Sequence, residues 1–137
     1  MVKKKQSIQE TATTVIVDDD EIAATSGEED QTFTDLSNKL AKIRKNKGVI
    51  GYILRSTTSA TIDLKEPEKI VEYAIFSSQV LDSSREISDL FELGDVESIL
   101  IEGKENKALC MTIDGNKISI FMEKDANHAD ILKKVSP

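Results

Sequence analysis

Apolar and polar positions change period several times between Thr32 and Val135, and the changes spell out an order of elements. Phe33, Leu36, Leu40 and Ile43 recur at helical spacing behind Thr32 and Asp35, a variant of the capping box, and Gly48 serves as the stop. Val49-Ile50-Gly51-Tyr52-Ile53-Leu54-Arg55 is a short, nearly continuous apolar run with β-branched and aromatic members, which predicts a central strand. Gly51 inside it marks a close approach by another backbone or side chain. Ser56-Thr57-Thr58 turns the chain, and Ala60-Thr61-Ile62-Asp63-Leu64 makes the hairpin partner.

Pro67, flanked by Glu66 and Glu68, opens a long helix that the pattern carries to about Leu93, with Gly94 as its stop. At 100° per residue, Ile70, Ala74, Ser77, Leu81 and Ser88 fall within about 60° of one another, a small-residue stripe suited to lying close on a sheet. Tyr73, Phe76, Val80, Ile87 and Phe91 form a second stripe beside the first. Together the stripes span roughly 160°, wider than the ~100° that one core requires, and Val71 and Ile75 lie beyond even that. A helix with this much apolar circumference buries two sides.

Three strands follow. Val96–Glu102 contains Ile99, Leu100 and Ile101 in succession, apolar on both faces. Leu109, Met111 and Ile113 alternate with Ala108, Cys110 and Thr112, and Asp114-Gly115-Asn116 is a strong hairpin signal leading to Ile118, Ile120 and Met122. Asn127 caps a closing helix containing Ile131, Leu132 and Val135. The fold class is therefore α+β: a single five-stranded antiparallel sheet with helices packed on it, in the order helix-strand-strand-helix-strand-strand-strand-helix.

The chain divides at residue 32. Residues 1–31 hold three Lys against eight Asp and Glu, net −5, whereas residues 32–137 hold 15 cations against 17 acids, net −2. The lead-in is poor in aromatics and carries Asp18-Asp19-Asp20-Glu21 and Glu28-Glu29-Asp30, so we expect a disordered acidic tail over 1–31. Thr13-Thr14-Val15-Ile16-Val17 is the exception in composition: a β-branched run followed by acids has the form of a strand that adds to a sheet edge, its own or a partner's. It resembles a SUMO-interacting motif in form. Plain disorder is the reading carried forward.

A nearly neutral domain with an acidic tail lacks the cations that neutralise a phosphate backbone, which argues against nucleic acid as a partner. One cysteine and one histidine assemble neither a disulfide nor a Cys/His zinc set. The basic start has no apolar stretch behind it, and no run approaches the ~18 apolar residues of a membrane span, so a cytoplasmic protein is expected. No P-loop and no G-x-G-x-x-G occurs. The helix serines have no base except the lone His128, which reads as a surface residue at a helix start, and Cys110 reads as a packing residue. The pattern points to no catalytic residue, cofactor or metal.

The element order, with Leu40, Ile43, Gly48 through Leu54, the long helix, Leu93-Gly94, Ile99 through Glu102 and Asp114-Gly115-Asn116, resembles the Roadblock dynein light chain family over about 105 residues, from 32 to 137. That resemblance implies a homodimer or heterodimer in which the long helix and third strand meet their counterparts. It also implies service as a noncatalytic scaffold or regulator of small Ras-like GTPases or of a larger regulatory assembly. Carried over by position, the interface draws on Tyr73, Phe76, Val80, Ser84 and Ile87, with Ile99 and Ile101 at the strand seam. A different class stays open: a small-molecule sensor or accessory enzyme subunit with an apolar pocket between sheet and long helix.

Overall fold

The computed structural model describes residues 13–16 and 27–136. Its elements are β1 (Thr13–Ile16), α1 (Gly27–Ile43), β2 (Val49–Arg55), β3 (Ser59–Leu64), a 3-10 turn (Pro67–Lys69), α2 (Ile70–Leu90), β4 (Ser98–Glu102), β5 (Asn106–Ile113), β6 (Asn116–Glu123) and α3 (His128–Val135). One antiparallel sheet runs in the order β1-β3-β2-β6-β5-β4. The five strands expected from the pattern are present in the expected order with their three helices.

Two features of the lead-in differ from expectation. Thr13–Ile16 adds a short sixth strand on the outer edge of β3, pairing Thr13 with Ile62 through Ile16 with Ser59, where disorder was the favoured reading. Its β-branched residues suit a strand, and β3 offers an unpaired edge to receive it. The first helix starts at Gly27, five residues before Thr32, so that Glu28, Glu29 and Asp30 fall in a first turn, where the helix dipole favours negative charge. The rest of the expected disordered tail, residues 1–12 and 17–26, lies outside the described residues.

The sheet separates two cores. On one face α1 and α3 cover Tyr52, Leu54, Leu109, Met111, Ile118, Ile120 and Met122, with Leu36, Leu40, Ile43, Ile131 and Val135 contributed by the helices. On the other, α2 covers Ile53, Leu64, Ala108, Cys110 and Phe121. The central strands are apolar on both sides because both sides are covered, which their unbroken apolar runs require. A bulge between Val49 and Gly51 shifts the β2–β6 register, and so Val49 and Tyr52 serve the same core although three residues apart. Gly51 sits where a Cβ would lie 2.3 Å from the Asp63 carbonyl oxygen and 2.6 Å from a Leu64 methyl, so only glycine lets β2 and β3 approach this closely.

Local signals act where they fall. Asp114 and Gly115 adopt φ of 49° and 80°, the two left-handed positions of a tight turn between β5 and β6. The Asn127 side chain accepts from the Asp130 N–H at 3.0 Å and starts α3. At the corner below α1, the Arg44 Nε lies 3.4 Å from Asp63 Oδ1, and an Arg44 Nη donates to the Val49 carbonyl at 3.2 Å. Beside this pair Tyr52 is fully buried, and its phenol is pushed up to about 12, chiefly by burial and then by the Asp63 charge, with Arg44 opposing.

Candidate interaction surface

Helix α2 meets the sheet along the small-residue stripe. Ser77, Leu81 and Ser88 are buried, and Ile70 and Ala74 pack at the margin of the same core. Small side chains let the helix lie close, and their hydroxyls are satisfied: Ser77 shares a short hydrogen bond with Ser119 on β6, Ser119 donates to the Cys110 sulfur at 3.3 Å, and Ser88 donates to the Gly94 carbonyl. Burial raises the Cys110 thiol above its ordinary value despite the Ser119 hydroxyl, which makes it a packing residue and a poor nucleophile.

The second stripe faces the β4 side. Tyr73 and Phe76 lean on Phe121, with ring centroids at 4.5 and 6.1 Å. They line an open groove of about 380 Å³ with Glu72 of α2 and with Ile101, Ala108 and residues of the β4–β5 turn. Val80 and Ile99 are half-buried against the same core. Further along α2, Ser84 is half-buried and donates to the Leu81 carbonyl at 2.9 Å, and Ile87 stands 54% exposed. Thus Tyr73, Phe76 and Ile101 converge on one groove, Val80 and Ile99 adjoin it, and Ser84 and Ile87 lie about 12 and 16 Å further along the helix at 1.5 Å per residue.

Among the described residues no strand pairs beyond β4, which forms one edge of the sheet. Leu100 faces the α1 and α3 side opposite Leu109, while Ile99 and Ile101 face the α2 side, and Leu100 and Ile101 remain partly exposed at 36% and 38%. An exposed apolar strand edge beside an exposed apolar helix flank is a surface that soluble proteins seldom leave bare.

Leu90 and Leu93 were absent from the sequence-derived interface, yet they and Phe91 are 66–75% exposed. Leu90 lies on the face of α2 turned away from the buried Ser77, Leu81 and Ser88, and Phe91 and Leu93 follow the end of the helix. The helix stops at Leu90, with the Glu92 N–H bonded to the Asp89 carbonyl and the Leu93 N–H to the Ser88 carbonyl, and Glu92 takes the left-handed position at φ 55°. This is a Schellman closure built on a glutamate two residues ahead of Gly94, the stop that the pattern predicts. A glutamate carries no sequence signal for that role.

His128 also differs from expectation. It is half-buried, and its Nδ1 accepts from Lys107 Nζ at 3.0 Å, an assignment that follows because an ammonium has donors only. Lys107 is buried on β5, with Glu102 Oε2 at 3.9 Å as its ionic neighbour. Among the described residues no group of three or more His, Cys, Asp or Glu is placed to hold a metal ion, and no helix is long and apolar enough to cross a membrane.

No protein-family model matches the sequence, and no curated protein matches it. Among solved structures, the chain is similar to the crystal structure of a Roadblock/LC7 domain from Streptomyces avermitilis, at a TM-score of 0.59 over 72% of this chain and 83% of that one. The chain has a Roadblock-like fold. Sequence identity across the match is 16%, so the likeness is one of architecture. In the Roadblock-like frame, β1 stands outside the expected five strands, while the groove, α2 and β4 belong to the expected core of the fold.

Proposed function

We propose that this protein is a noncatalytic, dimeric adaptor that works in the cytoplasm and regulates a small Ras-like GTPase or a larger regulatory assembly. The observation that carries the reading is the coincidence, on one side of the molecule, of an open strand edge and an apolar helix flank: β4 with Ile99 and Ile101, beside Tyr73, Phe76, Val80, Ser84 and Ile87. A second copy related by a twofold axis satisfies both at once, because antiparallel pairing of β4 with its counterpart continues the sheet and brings the two α2 flanks together. The paired helices then offer a platform to a third protein. Interfaces of about 1,600 Å² in total suffice for stable association when the centre is apolar.

The Roadblock-like fold supports the adaptor class and leaves the partner open. Capture with the GTPases of the source organism, each loaded with GDP or a nonhydrolysable GTP analogue, tests the finer claim. Retention of one GTPase in one nucleotide state, lost on substituting Ile87, supports it; retention of none moves the partner to another class. The sensor reading assigns the groove beside Tyr73 and Phe76 to a small apolar ligand, and it gains if such a ligand binds a monomer there.

A further inference from the structure

The three helices end differently. Lys42 lies in the last turn of α1, and Lys133 and Lys134 lie in that of α3, cations where the negative end of the helix dipole favours them. The last turn of α2 has no basic residue. Instead Glu86 and Asp89 approach its C-terminus and Glu92, Asp95 and Glu97 follow, so the chain from Glu86 to Glu97 holds five acids and no cation. All five are exposed, and none forms an ion pair with a described residue. Acids at this end of a helix oppose its dipole, so the fold gains nothing from them. Interleaved with them are Leu90, Phe91 and Leu93, 66–75% exposed. Apolar side chains left bare inside a charged rim mark a contact surface.

Beside them lies a groove of about 350 Å³ between α2 and its connection to β4. Leu81, Ser88 and Thr112 line it, and Asp89 from the helix and Asp95 from the connection bring two carboxylates to it. Arg85 also lines it and forms an ion pair with neither acid. Ser88 holds the connection against the helix end twice over, its hydroxyl donating to the Gly94 carbonyl and its carbonyl accepting from the Leu93 N–H. Such a groove suits a long cationic side chain, with methylenes along Leu81 and the charged head between the two carboxylates.

The chemistry selects the occupant. Among the described residues no three metal-binding side chains come together, so the carboxylates are too dispersed for one ion. Their sign repels nucleic acid and anionic lipid. A second copy set face to face on this end would oppose five carboxylates with five. A polyamine would answer the carboxylates and leave Leu90, Phe91 and Leu93 in water. Residues 91–97 lie outside the sheet and offer no strand edge, so an extended peptide has no ladder to join. A helix with cations and large apolar residues on adjoining faces meets every requirement. We propose that the C-terminal end of α2 and its connection to β4 dock a basic amphipathic helix of a partner protein, its apolar face on Leu90, Phe91 and Leu93 and an arginine or lysine in the groove between Asp89 and Asp95. Apolar burial supplies affinity, and the carboxylates set partner and register. These five residues are separate from those assigned to the dimer seam, so the site stands or falls apart from that reading.

The probe is a labelled synthetic helix of leucine, lysine and arginine with its leucines on one face, beside a permutation of the same residues that spreads them around the helix. Each is titrated by fluorescence anisotropy into the full-length chain. The ordered peptide binds about tenfold more tightly than the permuted one, and Asp89→Asn/Asp95→Asn removes about tenfold of its affinity, as does Leu90→Ser/Leu93→Ser. Glu66→Gln/Glu68→Gln, an equal loss of charge at the other end of α2, changes it by less than about twofold. All four substituted side chains of the site are exposed, and Asp89→Asn relieves the helix end, so neither site variant lowers the unfolding midpoint by more than a few degrees. No binding up to about 1 mM, equal affinity for the two peptides, or a loss from Glu66→Gln/Glu68→Gln as large as that from Asp89→Asn/Asp95→Asn overturns the proposal. A Leu90→Ser/Leu93→Ser chain that loses self-association in light scattering and keeps its peptide affinity assigns the patch to a second copy, and the proposal fails. Should a site variant not fold, hydrogen exchange on the unaltered chain decides: saturating ordered peptide must slow the amides of 91–97, and unchanged exchange there refutes the site. Ile101→Ser on β4 leaves the peptide affinity unchanged even if it abolishes self-association.

Discussion

Replacing Ile87 with glutamate separates interface from core. In a single copy Ile87 is 54% exposed, so less than half of its side chain leaves water on folding. Full burial of an isoleucine contributes ~1.5–3 kcal/mol, which limits the monomer's loss to about 1 kcal/mol. Glutamate is a helix former at least as good as isoleucine, which offsets a few tenths of that. The unfolding midpoint therefore drops by no more than about 5 °C. In a twofold interface the same carboxylate appears twice, without a cationic partner, and an uncompensated buried charge costs ~3 kcal/mol or more. The dissociation constant of the dimer then rises at least 100-fold, since each 1.4 kcal/mol is a factor of ten. Sedimentation equilibrium across a concentration series, with urea unfolding of the same preparation, reads both quantities. A variant that dimerises like its parent places Ile87 outside the seam, and a loss of more than about 2 kcal/mol from the monomer contradicts the exposure argument. Phe76 is a poorer probe, because its contact with Phe121 makes it part of the fold as well.

Two further outcomes concern the fold that supports the surface. The Tyr52 phenol stands near 12 in the folded chain against 10.0 ordinarily, so the folded state keeps it neutral while the unfolded state ionises. Stability is full below pH 10 and falls as pH climbs toward 12, by about 3 kcal/mol from this group, and urea unfolding of Tyr52→Phe must lose that part of the alkaline slope. His128→Ala removes the acceptor of buried Lys107 and costs about 1–3 kcal/mol in urea unfolding, whereas adding Lys107→Met to it restores most of the loss; no recovery in the double variant shows that the pair is not the cause.

Much of this architecture is legible in the chain because its determinants are local or periodic. The stripe of Ile70, Ala74, Ser77, Leu81 and Ser88 finds the sheetward side of α2, and the turn at Asp114-Gly115 and the cap at Asn127 act within four residues of themselves. What escapes depends on distant parts. Four residues of β1 have too little pattern to outweigh an acidic context, and their place is decided by an edge nearly fifty residues away. The end of α2 rests on Glu92 in a conformation that sequence assigns to Gly94, and the exposed position of Leu93 comes just after it. The Lys107–His128 contact joins β5 to α3 across 21 positions, so His128 looks like a surface residue until the elements pack. The wide apolar circumference of α2 is visible in the pattern, but only the structure divides it into a sheet contact, a β4-side groove and an exposed remainder at Val71 and Ile75.

Multi-angle light scattering on the full-length protein, from about one to one hundred micromolar, tests the central claim most directly. Self-association through β4 and α2 predicts twice the 15.2 kDa chain mass at the upper end, with return toward the single mass on introducing Ile87→Glu. A single-chain mass held throughout by the unaltered protein would contradict it.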